Sequence, residues 1–149
     1  MVVKMNKLKQ GHSTKKPWGL EIMWALTDNY MSKVIKISPN KQTPLLVHEN
    51  KEKSLMVIKG KLRLTHGKCC DEKDLVLYEL PKWSSVDIRP GEVFRYAAGE
   101  EPVILMEMSD AKFEDALMVK DENDTPPEID IEKVIKKEKP TSQGKNIYG

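Results

Sequence analysis

Apolar and polar positions alternate with a period of two along most of the middle of the chain. Tyr30–Ile37 (YMSKVIKI) alternates and stops at Ser38-Pro39-Asn40. Ser54–Ile58 (SLMVI) is a short apolar run closed by Lys59-Gly60, and Lys61–Thr65 (KLRLT) alternates strictly up to His66-Gly67. Leu75–Leu80, Ser85–Ile88 and Val103–Met108 follow, each bounded by proline, glycine or charged turn residues. Side chains on a strand point to opposite faces in turn, so this period predicts strands with one buried face. Short strands at this spacing, with no helical period between them, predict an all-β sandwich or barrel. Lys59-Gly60 between two alternating runs predicts a hairpin. The period does not decide 112–120 between a short helix and an edge segment.

The 149 residues suit one domain with a single core. No apolar run approaches the roughly 20 residues of a membrane helix, and residues 1–11 lack the apolar stretch of a secretory signal. The two cysteines, Cys69 and Cys70, are adjacent, a spacing that seldom bridges, so a disulfide framework is not expected and a cytoplasmic setting is. Asp71 and Glu72 beside them disfavour a reactive thiolate.

The net charge of +2 conceals an asymmetry. Residues 1–16 carry five lysines and no acid, whereas residues 17–124 hold 15 basic and 19 acidic residues. A nucleic-acid-binding core would show a basic face, so no nucleic acid and no membrane partner is expected. Residues 1–14 read as a flexible basic arm, 15–124 as the folded domain and 125–149 as a polar tail. Within the tail, Ile129–Lys137 sets isoleucines and valine among acids and lysines, the pattern of an amphipathic turn or a docking strand.

Several anchors hold a family spacing. Asn40, Leu46, His48, Lys53 and Gly60 stand at the intervals of the first cupin motif, and Gly91, Phe94 and Ala98 at those of the second. Lys16-Pro17-Trp18-Gly19, Leu105-Met106-Glu107-Met108 and Phe113–Asp124 resemble segments of the cupin domain of type II mannose-6-phosphate isomerases, which also occurs fused to mannose-1-phosphate guanylyltransferases. The resemblance implies a cupin double-stranded β-helix, a jelly-roll barrel with a pocket at its mouth, and a homodimer. In metal-bearing cupins, two histidines and a glutamate of the first motif and a histidine of the second hold a divalent ion. Here those positions are Leu46, His48, Lys53 and Phe94. Only His48 can coordinate, because Leu and Phe have no donor and an ammonium repels a cation. Neither a metal nor another cofactor is therefore expected. A shifted site using Glu49 or Glu52 would need a bulge, since a one-residue slip turns a side chain to the other face.

Lys53 then stands where the carboxylate of the family points inward. Beside Leu46 and Phe94 it would be a desolvated ammonium suited to hold an anion. His48 and Lys53 are the candidate catalytic residues, Lys53 and Arg95 the candidate substrate-binding residues, and Leu46, Phe94 and Tyr96 the candidate pocket lining. The expected ligand is a sugar or sugar phosphate, bound with little or no catalysis. The rivals are an active sugar-phosphate or nucleotide-sugar isomerase or epimerase, and a non-catalytic interaction module. His66 reads as a surface turn residue, Trp18 and Trp24 as core or interface anchors, Trp83 as interface, and the methionines within strands as core fillers.

Overall fold

The computed structural model describes residues 11–68, 72–111 and 116–120. Eleven strands form within them: β1 (His12–Lys16), β2 (Gly19–Leu26), β3 (Tyr30–Ile37), β4 (Leu45–His48), β5 (Lys53–Lys59), β6 (Leu62–Gly67), β7 (Val76–Leu80), β8 (Ser85–Ile88), β9 (Val93–Ala97), β10 (Val103–Asp110) and β11 (Ala116–Lys120). A single 3₁₀ turn, Glu72–Asp74, precedes β7. Two antiparallel sheets result. One has six strands in the order β1-β2-β3-β10-β5-β8, the other five in the order β11-β4-β9-β6-β7. This is the all-β double-stranded β-helix that the resemblance implies.

The alternation read from the sequence selects the buried face. Ile35 and Ile37 of β3, Leu55 and Val57 of β5 and Val103 and Leu105 of β10 meet Leu62 and Leu64 of β6 and Phe94 and Tyr96 of β9 in one core. Each such side chain contributes about 1.5–3 kcal/mol of burial. Trp18, in the tight β1–β2 turn, joins this core.

Three expectations are corrected. Lys59-Gly60 does not close a hairpin, because β5 and β6 belong to different sheets. Gly60, at φ 80°, turns a corner between them, and a Cβ there would stand 2.5 Å from the Pro102 carbonyl oxygen. The arm does not extend to residue 14: His12–Lys16 pairs with Gly19–Met23, supplying the outer strand of a hairpin that composition alone does not reveal. Met56 and Met108 are not core fillers, and of the two roles expected for Trp24, core or interface anchor, the core one is excluded; all three face outward on the six-stranded sheet and are exposed. Of the undecided stretch 112–120, residues 116–120 form an edge strand on β4. Cys69, Cys70 and the 125–149 tail lie outside the described residues. No helix among the described residues is long and apolar enough to cross a membrane.

Candidate functional site

Between the sheets lies a cavity of about 810 Å³. Leu46, His48, Lys53, Phe94 and Tyr96, all expected as site residues, line it together with Trp18, Met31 and Glu107. The convergence follows from pairing. Leu46 lies directly opposite Phe94 across β4 and β9, so Leu46 and His48 project to the same side as Phe94 and Tyr96. The six-stranded sheet brings Lys53 and Glu107 from the other side. Lys53 pairs with Ser109 and Leu55 with Glu107, which makes Lys53 and Glu107 diagonal neighbours on one face. Exposed Lys16, Leu26, Thr27 and Asp28 also line the cavity and mark where it meets solvent.

Lys53 is not a free cation. Its Nζ donates to Glu107 Oε2 at 2.9 Å, with both side chains buried. The Tyr96 hydroxyl donates to the same oxygen. Burial alone would push the Glu107 pKa up; the Lys53 charge, the Tyr96 and Lys53 hydrogen bonds and the more distant Lys33 charge outweigh it and hold the carboxyl below its ordinary value. Phe94 is the hub of the cluster. The Lys53 ammonium lies 4.6 Å from its ring centroid, His48 stacks on it at 5.5 Å with 20° between planes, and Tyr96 tilts against it at 5.4 Å. A cation over an aromatic face and beside a carboxylate recovers part of the solvation lost on burial.

The structure does not bring Arg95 to this site. Between the inward Phe94 and Tyr96 it turns to the other face of β9, where its Nε donates to the Thr43 carbonyl at 3.1 Å. His66 is not a surface turn residue either. It continues the inward series Leu62, Leu64, is buried, and meets Glu92 Oε2 through its Nε2. Glu92 Oε1, also buried, accepts no hydrogen bond among the described residues.

The residues at the family's ligand positions do not fit a metal ion. Leu46 and Phe94 have no donor, and Lys53 places an ammonium within the carboxylate's reach. Glu49 and Glu52, the alternative carboxylates, are exposed and do not line the cavity. Among the described residues no three histidine, cysteine or acidic side chains are grouped to hold a metal.

Sequence reasoning missed Glu107 as a functional group, although the signal was present. Glu107 is in phase with Val103 and Leu105, so the alternation that buries those two also buries it, and a buried carboxylate demands a cation. The same phase rule, applied to Leu62, Leu64 and His66, would have placed His66 inside. It also missed Lys51, which is fully enclosed and borders a hole of about 10 Å³, room for one water, together with Lys33, Lys53 and Glu107.

No protein-family model and no curated protein matches the sequence. Solved structures do match in fold. CapF, a capsular polysaccharide assembling protein from Staphylococcus aureus, superimposes with a TM-score of 0.66 at 17% identity over 75% of this chain. The chain spans only 35% of CapF. The polyketide cyclase RemF from Streptomyces resistomycificus gives 0.63 at 16% identity, covering 80% of this chain and 89% of RemF. An RmlC-like cupin from Shewanella frigidimarina gives 0.59 at 15% identity, covering 71% and 88%. The fold is the cupin double-stranded β-helix.

Proposed function

We propose that this cupin-fold protein binds a neutral, hydroxyl-bearing ring, a sugar, in its cavity without a metal and with little or no catalysis. The observation that carries this reading is the Lys53–Glu107–Tyr96 cluster. It presents a carboxylate held below its ordinary pKa beside aromatic faces, and such a carboxylate accepts hydrogen bonds from ligand hydroxyls while the rings of Phe94 and Trp18 cover the apolar face of a sugar. His48, stacked on Phe94, adds a polar edge within the same cavity.

Two features narrow the range of ligands. Lys16, Lys33 and Lys53 are balanced along the lining by Glu21, Asp28 and Glu107, with Lys33 at 3.8 Å from Glu21, so a phosphorylated sugar finds no surplus of positive charge. A carboxyl held below its ordinary pKa is a weak proton acceptor at neutral pH, which disfavours proton transfer of the isomerase kind. The finer resemblance to type II mannose-6-phosphate isomerases therefore extends, in this reading, to sugar recognition and not to metal-assisted turnover. CapF, as a capsular polysaccharide assembling protein, agrees with a carbohydrate setting.

A second reading, an aromatic apolar ligand, is favoured by the Trp18, Met23, Met31, Ile35, Leu46 and Phe94 share of the lining and by the fold match to a polyketide cyclase. One titration separates them. Mannose, mannose 6-phosphate, GDP-mannose and a polyphenol are added in turn while the melting temperature is followed. Neutral sugar at a hundredfold excess over its dissociation constant stabilises by about 2.7 kcal/mol, and Tyr96→Phe weakens that effect. Stabilisation by the polyphenol alone overturns the sugar reading, and stabilisation confined to the phosphorylated compounds overturns the neutral-ligand reading.

A further inference from the structure

The inner face of the six-stranded sheet carries a continuous line of alternating charge. Lys33 of β3 lies directly opposite Glu107 of β10, and Glu21 of β2 is diagonal to Lys33. With Lys53 of β5 diagonal to Glu107, the order across four neighbouring strands is Lys53, Glu107, Lys33, Glu21. All four line the cavity. They form two pairs, Lys53–Glu107 at 2.9 Å and Lys33–Glu21 at 3.8 Å, and the Lys33 charge also reaches Glu107. Side-chain exposure rises along the line, from 8% and 9% in the first pair to 14% and 24% in the second. The line therefore runs from the most enclosed part of the cavity outward.

Each pair has an aromatic neighbour. The Phe94 ring lies 4.6 Å from the Lys53 ammonium, and Trp18, which also lines the cavity, immediately precedes the strand that carries Glu21. Charged groups that take hydroxyls beside an aromatic face that covers apolar C–H groups are what one sugar ring needs, and here the combination occurs twice. The second pair is built to hold a hydroxyl. Its 3.8 Å separation exceeds the length of a direct hydrogen bond, so a hydroxyl seated between the two accepts from Lys33 and donates to Glu21. Each pair is neutral as a unit, which suits hydroxyls along the whole line rather than phosphates.

The dimensions exceed one ring. Three inter-strand gaps of about 4.8 Å separate β5 from β2, roughly 14 Å in all, more than a single hexose spans. The cavity volume of about 810 Å³ is likewise more than a single hexose fills. Building on the sugar-binding reading, we infer that the cavity takes a neutral glycan of at least two linked rings, the first on Lys53, Glu107 and Tyr96 and the second on Lys33 and Glu21.

The test is isothermal titration calorimetry of the full chain with mannose and with mannobioses of both anomeric linkages. At least one mannobiose is expected to bind at least about tenfold more tightly than mannose, the gain from one further hydrogen bond to a charged group. In Glu21→Gln, which keeps the shape of the side chain and removes its charge, that gain is expected to vanish. A mannose affinity equal to that of every mannobiose overturns the inference and leaves the sugar reading standing; this comparison needs no variant. A Glu21→Gln protein that keeps the full gain also overturns it. So does one that loses mannose and mannobiose alike at an unchanged melting temperature, because the pair would then serve the first ring. Binding of neither mannose nor any mannobiose overturns the sugar reading itself, and the inference with it.

Discussion

Lys53 and Glu107, 54 residues apart in sequence, meet at 2.9 Å on the inner face of the six-stranded sheet with their charges withdrawn from water. Each is one step beyond an apolar series in its own strand. Each would be an unsatisfied charge in the core without the other. Tyr96 and Phe94 complete the enclosure from the opposite sheet, so the pair ties the two layers together across the cavity.

Removing one partner is therefore costly and removing both is not. Lys53→Met is expected to lower unfolding stability by about 3–5 kcal/mol, because Glu107 is left as a buried, uncompensated carboxylate. The double substitution Lys53→Met with Glu107→Leu is expected to recover most of that loss. Denaturant unfolding of the two variants measures the difference, and equal losses in single and double variants would contradict a buried pair.

The pair also sets an acid limb. The folded-state pKa of Glu107 lies below its ordinary 4.5, so its contribution to stability is complete above that value and is lost as pH falls through the lower folded value. The stability difference between wild type and Glu107→Gln is expected to be flat above about pH 5 and to narrow on further acidification. Unfolding curves taken between pH 7 and pH 2 check this. A difference that stays constant down to the lowest pH would show that Glu107 does not titrate with folding.

Phe94 packs at once against His48, Lys53 and Tyr96. Phe94→Ala is expected to cost about 3–5 kcal/mol, the range for deleting a buried aromatic. Phe94→Leu, which keeps much of the volume, is expected to cost clearly less. Similar losses for both would mean that the ring is not packed as the geometry requires.

His66 and Glu92 form a second buried polar pair. His66→Ala leaves both Glu92 carboxyl oxygens without a hydrogen-bonding partner among the described residues and is expected to destabilise by about 3 kcal/mol. A surface turn histidine would change stability by no more than about 0.5 kcal/mol. Chemical unfolding of the variant distinguishes the two.

The alternation of side chains by itself determined the all-β class and the inner faces of β3, β5, β6 and β10, while the resemblance to the cupin motifs implied that Leu46, His48, Lys53 and Phe94 converge on the cavity. Alternation is a local property, fixed by the two-residue pleat of a strand. β1, β2, β4 and β9 escaped the pattern, since their runs are short, interrupted or polar, and their strand state is imposed by partners on either side. Only the tertiary structure decided that Gly60 crosses between sheets, that Arg95 turns away from the cavity and that Lys53 spends its charge on Glu107. Those outcomes depend on which strands become neighbours and in what register. Such pairings join residues remote in sequence, and no pattern within a single strand encodes them.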